Sequence, residues 1–474
     1  MTTIFGGNTS GGYEVDNSVR LFSNTLMTMT PSGAPTNADI STLSFWTKLA
    51  GLGTERSPIF AAGNGGGVHF RADTDQVDFY NGGGSLRTTQ QFKDVSAWYH
   101  IVLRTNTTDG TANDRLRVYV NGTQVTDFAQ RTNPDQNANT HLGSAVEHHI
   151  GCNTDAANFF NGYLAEVCFI DGLSLGPDSF GEFDEDSPTI WKPINVSGLT
   201  YGNNGFYLEF KSGGNLGDED KGTQTADWSE TNLTAVDQST DTCTNNFATL
   251  NPLDSFSSGA AFSEGNTTVV STNGGRGIMT ATVGLTSGKW YWEVKNSASG
   301  GTHSGDEWNH IGISNRAAAN ADNILAESGT NSNKVYEYTY YAYDGNHYNN
   351  GDQGGYGASF TTNDIVGVFL DLDNNKIYWS KNGAWADGSG NSDENDPNGF
   401  KAVTDPASTP GGVYIPACGD GGVNVFKTWQ WNFGGTPGFA VSSSNADPNG
   451  YGNFEYPTEG GYAICSKNLA EFGG

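Results

Sequence analysis

Trp98–Gly122 reads WYHIVLRTNTTDGTANDRLRVYVNG. Tyr99, Ile101 and Leu103 fall on one side of an extended chain, because side chains there alternate with period two. Leu116, Val118 and Val120 repeat the pattern on a return run, with Arg117, Tyr119 and Asn121 facing the other way. A polar Asx/Gly turn joins the two runs. Asn121-Gly122 closes the second, a pair suited to a type I′ turn, whose two central residues need φ > 0. Asn363–Gly383, NDIVGVFLDLDNNKIYWSKNG, follows the same plan and ends on Asn382-Gly383. Each half of the chain is therefore expected to rest on one long antiparallel hairpin that runs straight into a further turn.

The surroundings agree with strands. The 474 residues exceed one ordinary core, so two or three domains are expected. Glycine occupies 65 positions, and Thr, Asn, Tyr, Phe and Trp are plentiful, which suits strands and turns. No stretch keeps apolar residues at i, i+3, i+4 and i+7 over three turns; Ala317–Leu325 comes nearest and is short. The fold class read here is all-β.

Charge and cysteines narrow the function classes. There are 23 basic and 52 acidic residues, a net of −29, and such a field repels phosphate backbones. No nucleic-acid partner is expected. Cys152, Cys168, Cys243, Cys418 and Cys465 are odd in number, scattered and free of CxxC spacing, which favours buried free thiols over a disulfide framework. The first residues, MTTIFGGNTSGGYEVDNS, lack the basic start and apolar core of a secretory signal. No apolar run reaches the length of a membrane span. Synthesis in a reducing cytoplasm, with release by lysis, is the expectation.

Taken in order, residues 1–17 are Gly/Thr/Asn-rich and read as an extended arm, either loose or a docking strand. Strands are expected at Ser18–Phe22, Leu43–Leu49, Ser57–Ala61, Val68–Arg71 and Gln76–Tyr80, then the 98–122 hairpin, His149–Gly151 and Gly162–Asp171. Turn signals recur at the intervals of a β-sandwich. SFWTKL, WYHIVLR…LRVYVNG and HHIGCNTDAANFFNGYLAEVCFIDGLSL resemble the successive signatures of laminin-G-like, concanavalin-type jelly-roll domains, over 18–210. Residues 211–255 form a polar junction whose composition reads as a linker, although Trp228, Leu233 and Val236 are apolar enough to pack. In 256–474, GKWYWEV, HIGIS, DIVGVFLDLDNNKIYWSKNG and the closing WNFGG resemble SPRY domains in order and spacing. The resemblance implies two antiparallel β-sandwich domains in tandem. The junction DW…NLTAVDQSTDTCTNNFATLNPL and the C-terminal GYAICSKNLAEFGG resemble virion proteins of tailed phages, many of them marine.

Candidate chemistry is sparse. Glycoside hydrolysis needs two carboxylates roughly 5–10 Å apart across one bond. Asp371 and Asp373 share a strand face, but they stand at the mouth of a tight turn, where Asp is favoured for turn hydrogen bonds. The Glu-x-Asp-x-x-Glu pattern of jelly-roll glucanases is absent. Asp184-Glu185-Asp186 and Asp218-Glu219-Asp220 read as solvated loop clusters. No Gly-x-Ser-x-Gly elbow marks a nucleophile. His148-His149-x-x-Cys152 offers metal ligands, yet tetrahedral zinc needs about four and no second cluster accompanies them. Asp387, Ser389, Asn391 and Asp393 could offer oxygens to calcium, but the pattern is incomplete for an EF-hand loop, and a flexible acidic insertion is favoured. Laminin-G-like domains often hold calcium on a rim, so the resemblance keeps calcium open; no other cofactor is expected.

The richest binding candidate is the tyrosine run. Tyr336, Tyr338 and Tyr340 share one strand face, and Tyr341 and Tyr343 share the other. Aromatic platforms with polar edges suit sugar rings and protein partners alike. The alternative is that a two-faced strand buries one row. SPRY domains bind partners through loops at one end, and His347, Tyr348 and Trp385 are expected near that end. The resemblances together imply a non-enzymatic phage virion surface protein: a capsid-decorating protein, short fibre or appendage acting in assembly and adhesion. A tail-tip adhesin for host surface glycan is the alternative, and a polysaccharide depolymerase a third reading. The expected location is the virion exterior. Expected partners are other virion proteins and further copies of this chain, a trimer being one form. Heptads and short stalk repeats are lacking, which disfavours a long self-standing fibre.

Overall fold

In the computed structural model, Trp98–Asn106 and Leu116–Val120 pair antiparallel, with Ile101 opposite Val120 and Leu103 opposite Val118. Asn121 and Gly122 both take positive φ (45° and 77°), as do Asn382 and Gly383 (50° and 82°). Each Asn-Gly pair turns the chain into a two-residue strand, Thr123–Gln124 or Ala384–Trp385. The structure describes residues 12–51, 56–219, 221, 227–256, 260–271, 277–301, 308–315, 325–329, 332–392, 398–421 and 425–473. Ala317–Leu325, the nearest approach to a helical pattern, lies outside them except for Leu325. Among the described residues the one α-helix is Ser466–Phe472, and the sheets are antiparallel but for one short parallel pairing, so the all-β reading holds.

The chain divides into two units, one ending at Asn245 and the next beginning at Asn246. The first is a sandwich of two eight-stranded sheets. One sheet runs Thr123–Gln124, Leu116–Val120, Trp98–Asn106, Ile40–Leu49, Gly162–Asp171, Ser18–Leu21 and Gln238–Ser239, with Phe206–Leu208 beside Gly162–Asp171. The other runs Phe128–Thr132, Gly84–Gln91, Gln76–Asn81, Gly66–Arg71, Arg56–Ala62, His148–Ile150, Leu26–Met29 and Ser229–Thr231. Ile101, Leu103, Leu116, Val118 and Val120 from the hairpin meet Val68, Phe70, Val77, Phe79 and Leu86 from the facing sheet in one apolar core.

The two sheets differ in their outer faces, and that difference positions the site below. Val102, Tyr119, Cys168 and Ile170 point away from the core, yet Phe180, Val196 and Tyr201 cover them. Ile40–Leu49 and Gly162–Asp171 are accordingly buried along almost their whole length. Gln76–Asn81 and Gly84–Arg87 instead alternate buried and half-buried residues, the mark of a sheet with one open face.

The polar stretch after residue 210 does not behave as its composition suggests. Trp228 packs edge-on against Phe206 and Phe60, at ring separations of 4.9 and 6.1 Å, and Leu233 joins the same core. Val236 stays exposed. Acidic residues here meet buried cations: Asp237 accepts from Arg20 at 3.1 Å and Asp241 from Lys48 at 2.7 Å. Asp241 also accepts from the Trp98 indole at 3.0 Å. Polarity here marks buried pairing rather than a tether. Of the N-terminal arm, residues 12–17 are described. Val15 is buried beside Trp46, Trp98 and Tyr163, its N–H donating to the Thr244 hydroxyl, which donates back to the Val15 carbonyl.

The second unit is also a sandwich. A seven-stranded sheet runs from Leu250–Phe256 through Gly277–Ala281, Ile415–Asp420, His310–Ser314, Tyr338–Tyr341 and Asn346–Tyr348 to Asp352–Gly355. Its nine-stranded partner is centred on Lys289–Gly301, flanked by Val425–Asn432 and Ile365–Asp371. Trp290, Trp292, Trp379, Trp429 and Trp431 fill the core between them. Tyr291, Phe369, Tyr378 and Trp385 emerge on the far face and are capped by Phe247, Phe454 and Cys465.

Candidate functional site

Most of the tyrosine run is buried, although Tyr343 is 55% exposed. Tyr338 and Tyr340 lie in the core of the second unit, and Tyr341 and Tyr348 pack on the opposite face against the His310 imidazole at 4.7 and 5.0 Å. Burial pushes the Tyr340 hydroxyl up to about 12, and it donates to the Ala358 carbonyl. His347 sits between the rings of Tyr338 and Trp379, 6.2 and 5.9 Å away, and burial lowers it to about 4. Trp385 is 2% exposed among Tyr291 and Phe369. Tyr336 is half-buried, in a 3-10 turn rather than on the strand. Five of the six expected binding residues therefore cannot form an exposed platform. Tyr338–Tyr341 is an interior strand of its sheet and both its faces are covered, which alternation within one strand does not reveal.

The described catalytic and metal candidates are held in local hydrogen bonds. Asp371 accepts from the Asn374 backbone at 3.0 Å and side chain at 2.8 Å, while Asp373 accepts from the Gly288 N–H at 2.8 Å. Asp184 caps the turn at Asp186 and Ser187 and reaches Lys192; it is buried rather than solvated. Glu219 accepts from the Tyr207 N–H, and Asp220 lies outside the described residues. His148 has both nitrogens engaged: the Gly143 N–H donates to Nε2, so Nδ1 carries the proton given to the Val146 carbonyl. Cys152, His149 and Glu147 line up as thiol, imidazole and carboxylate, at 3.4 and 3.0 Å. Burial, with the charges of Asp155 and Glu147, pushes the Cys152 thiol up to about 12, whereas a nucleophile needs the thiolate. Asp387 accepts from the Ser389 and Asn391 N–H groups and the Asn391 amide; Asp393 lies outside the described residues. Among the described residues no three His, Cys, Asp or Glu side chains are grouped to hold a metal ion.

The roles in one buried Ser–His pair are fixed by the tautomer of its imidazole. Ser44 Oγ lies 2.9 Å from His100 Nε2, and the Trp191 indole donates to Nδ1 at 2.9 Å. An indole N–H can only donate, so the neutral ring carries its proton on Nε2 and gives it to Ser44. Burial lowers His100 to about 3. The imidazole thus donates to the serine instead of taking its proton.

What remains is the open sheet face of the first unit. We number its strands β1 (Arg56–Ala62), β2 (Gly66–Arg71), β3 (Gln76–Asn81), β4 (Gly84–Gln91) and β5 (Phe128–Thr132). Register places Pro58, His69, Asp78, Arg87 and Gln130 in one row across all five. Gly67, Tyr80 and Ser85 form the next row on the same face, and Arg56 pairs with Arg71. Arg56, His69, Asp78, Tyr80, Ser85, Arg87 and Gln130 line a cleft of about 240 Å³. That is below the roughly 300–1,000 Å³ of drug-sized pockets, and suits one ring-sized group.

Each wall has a local cause. Gly67 makes room for Tyr80: a Cβ there would stand 2.7 Å from the phenol oxygen and 2.9 Å from its ring carbon. Tyr80 is half-buried and meets His69 edge-on at 5.9 Å. Asp78 accepts from Arg87 Nε at 2.7 Å and from Arg71 at 3.3 Å. Arg71 also grips Asp73 through Nε and Nη2, at 2.9 and 2.6 Å. Burial alone would raise Asp78, but the adjacent His69 and Arg87 overcome it and hold the carboxyl well below the usual range. His69 Nε2 is 3.3 Å from Asp78 Oδ2, yet outside hydrogen-bond geometry with any described residue, though the ring is 4% exposed. None of these residues stood out in the sequence. The usable signal was the polar side of an alternating run, His69/Arg71, Asp78/Tyr80 and Ser85/Arg87; strand register was needed to join it.

Comparison with known proteins assigns the domain types. Residues 23–173 match the concanavalin A-like lectin/glucanases superfamily (Laminin_G_3), and residues 289–396 match the SPRY domain. The chain carries the two in tandem, and both domain types fit a binding role. Among solved structures it is similar to the SPRY domain of human HERC1, at 21% identity over 38% of this chain and 96% of that one, TM-score 0.29. It is also similar to a putative carbohydrate binding protein from Bacteroides ovatus ATCC 8483, at 14% identity over 48% and 60%, TM-score 0.36. A third is the native heptameric SAP-like pentraxin from Limulus polyphemus, at 13% identity over 34% and 78%, TM-score 0.25. No curated protein matches the chain.

Proposed function

We propose that this protein is a non-enzymatic binding component of a tailed-phage virion exterior, and that the cleft across β2, β3 and β4 is its adhesive site for a host surface glycan. The observation that carries the binding reading is the polar row His69–Asp78–Arg87 beside the Tyr80 ring, on the open face of a sheet. Sugars bind through such sites by stacking on an aromatic ring and exchanging hydrogen bonds with fixed polar groups. A hydrolase reading has less support: the cleft lining holds one carboxylate, Asp78, and arginines already pair with it, whereas glycoside hydrolysis uses two. The phage assignment is supported by the junction and C-terminal resemblances. Other virion proteins and further copies of this chain are its proposed partners, and the five free thiols accord with synthesis in a reducing host cytoplasm.

Two measurements test this. Antibody labelling of intact particles under the electron microscope is expected to place the chain on the virion exterior; absence from purified virions would overturn the assignment. Glycan-array binding by purified protein is expected to fall at least tenfold in Tyr80→Ala. Regular capsid positions with no glycan binding would leave assembly as the role and remove adhesion. Release of reducing ends from a bound polysaccharide would instead identify a depolymerase.

A further inference from the structure

We infer that the cleft selects an acidic sugar, one carrying a carboxylate or a sulfate ester on the ring that stacks on Tyr80. The inference rests on the cleft being a glycan site, and it adds the charge of the ligand.

The chain as a whole argues for the reverse preference, since its net charge of −29 repels polyanions. Against that background the cleft concentrates cations. Arg56, Arg71 and Arg87 share one sheet face with Asp78, and Asp73 is the second carboxylate that they meet. Immediately around the cleft, three guanidiniums therefore stand against two carboxylates.

The donors are also unequally used. Asp78 takes Nε and one Nη of Arg87, and Asp73 takes Nε and Nη2 of Arg71. Arg56 forms no ion pair with a described residue, and its charge is felt at the Tyr80 hydroxyl across the cleft. His69 Nε2 lies 3.3 Å from Asp78 Oδ2, outside hydrogen-bond geometry, and its ring stands edge-on to Tyr80. Arg56 and the spare edge of Arg87 therefore line the same cleft as Tyr80 and His69. An anionic oxygen there would gain charge-assisted hydrogen bonds, about twice as strong as neutral ones. A neutral sugar would leave the cations without that gain.

Isothermal titration with oligosaccharides of matched length tests the inference: a neutral glucan, a polyuronate and a sulfated glucan. The full chain is compared with Arg56→Gln, Tyr80→Ala and, as a remote cation, Lys93→Gln. The uronate or the sulfated glucan is expected to bind at least tenfold tighter than the neutral one. Arg56→Gln should remove at least fivefold of that preference without changing the melting temperature, because Arg56 is exposed. Lys93→Gln should leave it unchanged. Preference for the uronate alone identifies carboxylate as the recognised group, and for the sulfated glucan alone, sulfate. Equal binding of neutral and acidic sugars, lost in Tyr80→Ala, overturns the charge inference and keeps the glycan site. Equal losses in Arg56→Gln and Lys93→Gln would reduce the effect to general electrostatics and also overturn it. No binding of any sugar removes the glycan reading itself.

Discussion

Glu166 shows how a buried charge can oppose the fold that contains it. It has positive φ (51°) at a bulge between Ala165 and Cys168, and its carboxylate accepts from the Tyr207 hydroxyl at 2.7 Å and from Tyr13 at 3.3 Å. Burial outweighs those hydrogen bonds and raises the group from 4.5 to about 7. The folded state thus holds a proton that the unfolded chain gives up, so stability falls as pH rises from 4.5 through 7 and stays reduced above. A shift of that size corresponds to ~3 kcal/mol. Glu166→Gln keeps an acceptor for Tyr207 and removes the titration. In urea unfolding it is expected to match the wild type near pH 4 and exceed it by about 3 kcal/mol near pH 8; equal stabilities at both pH values would refute this. Nothing in the sequence around Glu166 announces this behaviour, because the residues that bury it, Tyr13 and Tyr207, come from distant parts of the chain.

The hairpins were legible because their information is local. Alternation and an Asn-Gly pair specify strand, turn and facing side without reference to any other segment. What a face meets is not local. The Tyr338–Tyr341 strand reads as two aromatic rows, and only its place between His310–Ser314 and Asn346–Tyr348 decides that both rows are covered. The binding row has the same limitation in reverse: His69, Asp78 and Arg87 are unremarkable singly and become a site when three strands align. The turn glycines carry a second constraint beyond φ. A Cβ on Gly122 would come within 2.3 Å of the Trp191 ring, and one on Gly383 within 2.5 Å of Tyr456. Gly122→Ala therefore combines a disfavoured backbone with a clash, and is expected to cost at least ~1–3 kcal/mol. Thermal unfolding checks it, and a variant within 0.5 kcal/mol of wild type would mean the turn relaxes at little cost.

The two units have separate apolar cores, so each is expected to fold as a fragment. Where the first is cut matters more than its composition suggests. A fragment ending at 245 retains Trp228, Asp237 and Asp241; one ending at 210 loses all three, and with them the ion pairs of Asp237 with Arg20 and of Asp241 with Lys48. Removing one member of a buried ion pair costs about 3–5 kcal/mol, comparable with the whole stability of many domains. The longer fragment should show cooperative unfolding and the shorter one should not; equal cooperativity would return 211–245 to the status of a tether. The polar junction was misleading on composition because a linker and a strap of buried ion pairs use the same residue types.

That strap also sets a timetable for synthesis. Ser18–Leu21 is made well before its sheet neighbours Gly162–Asp171 and Gln238–Ser239, and Lys48 waits for Asp241. At about 5–20 residues per second, a ribosome needs on the order of ten to forty seconds to deliver them. For that interval an apolar strand edge stands open beside other nascent copies. Domain exchange and chaperone capture then compete with closure.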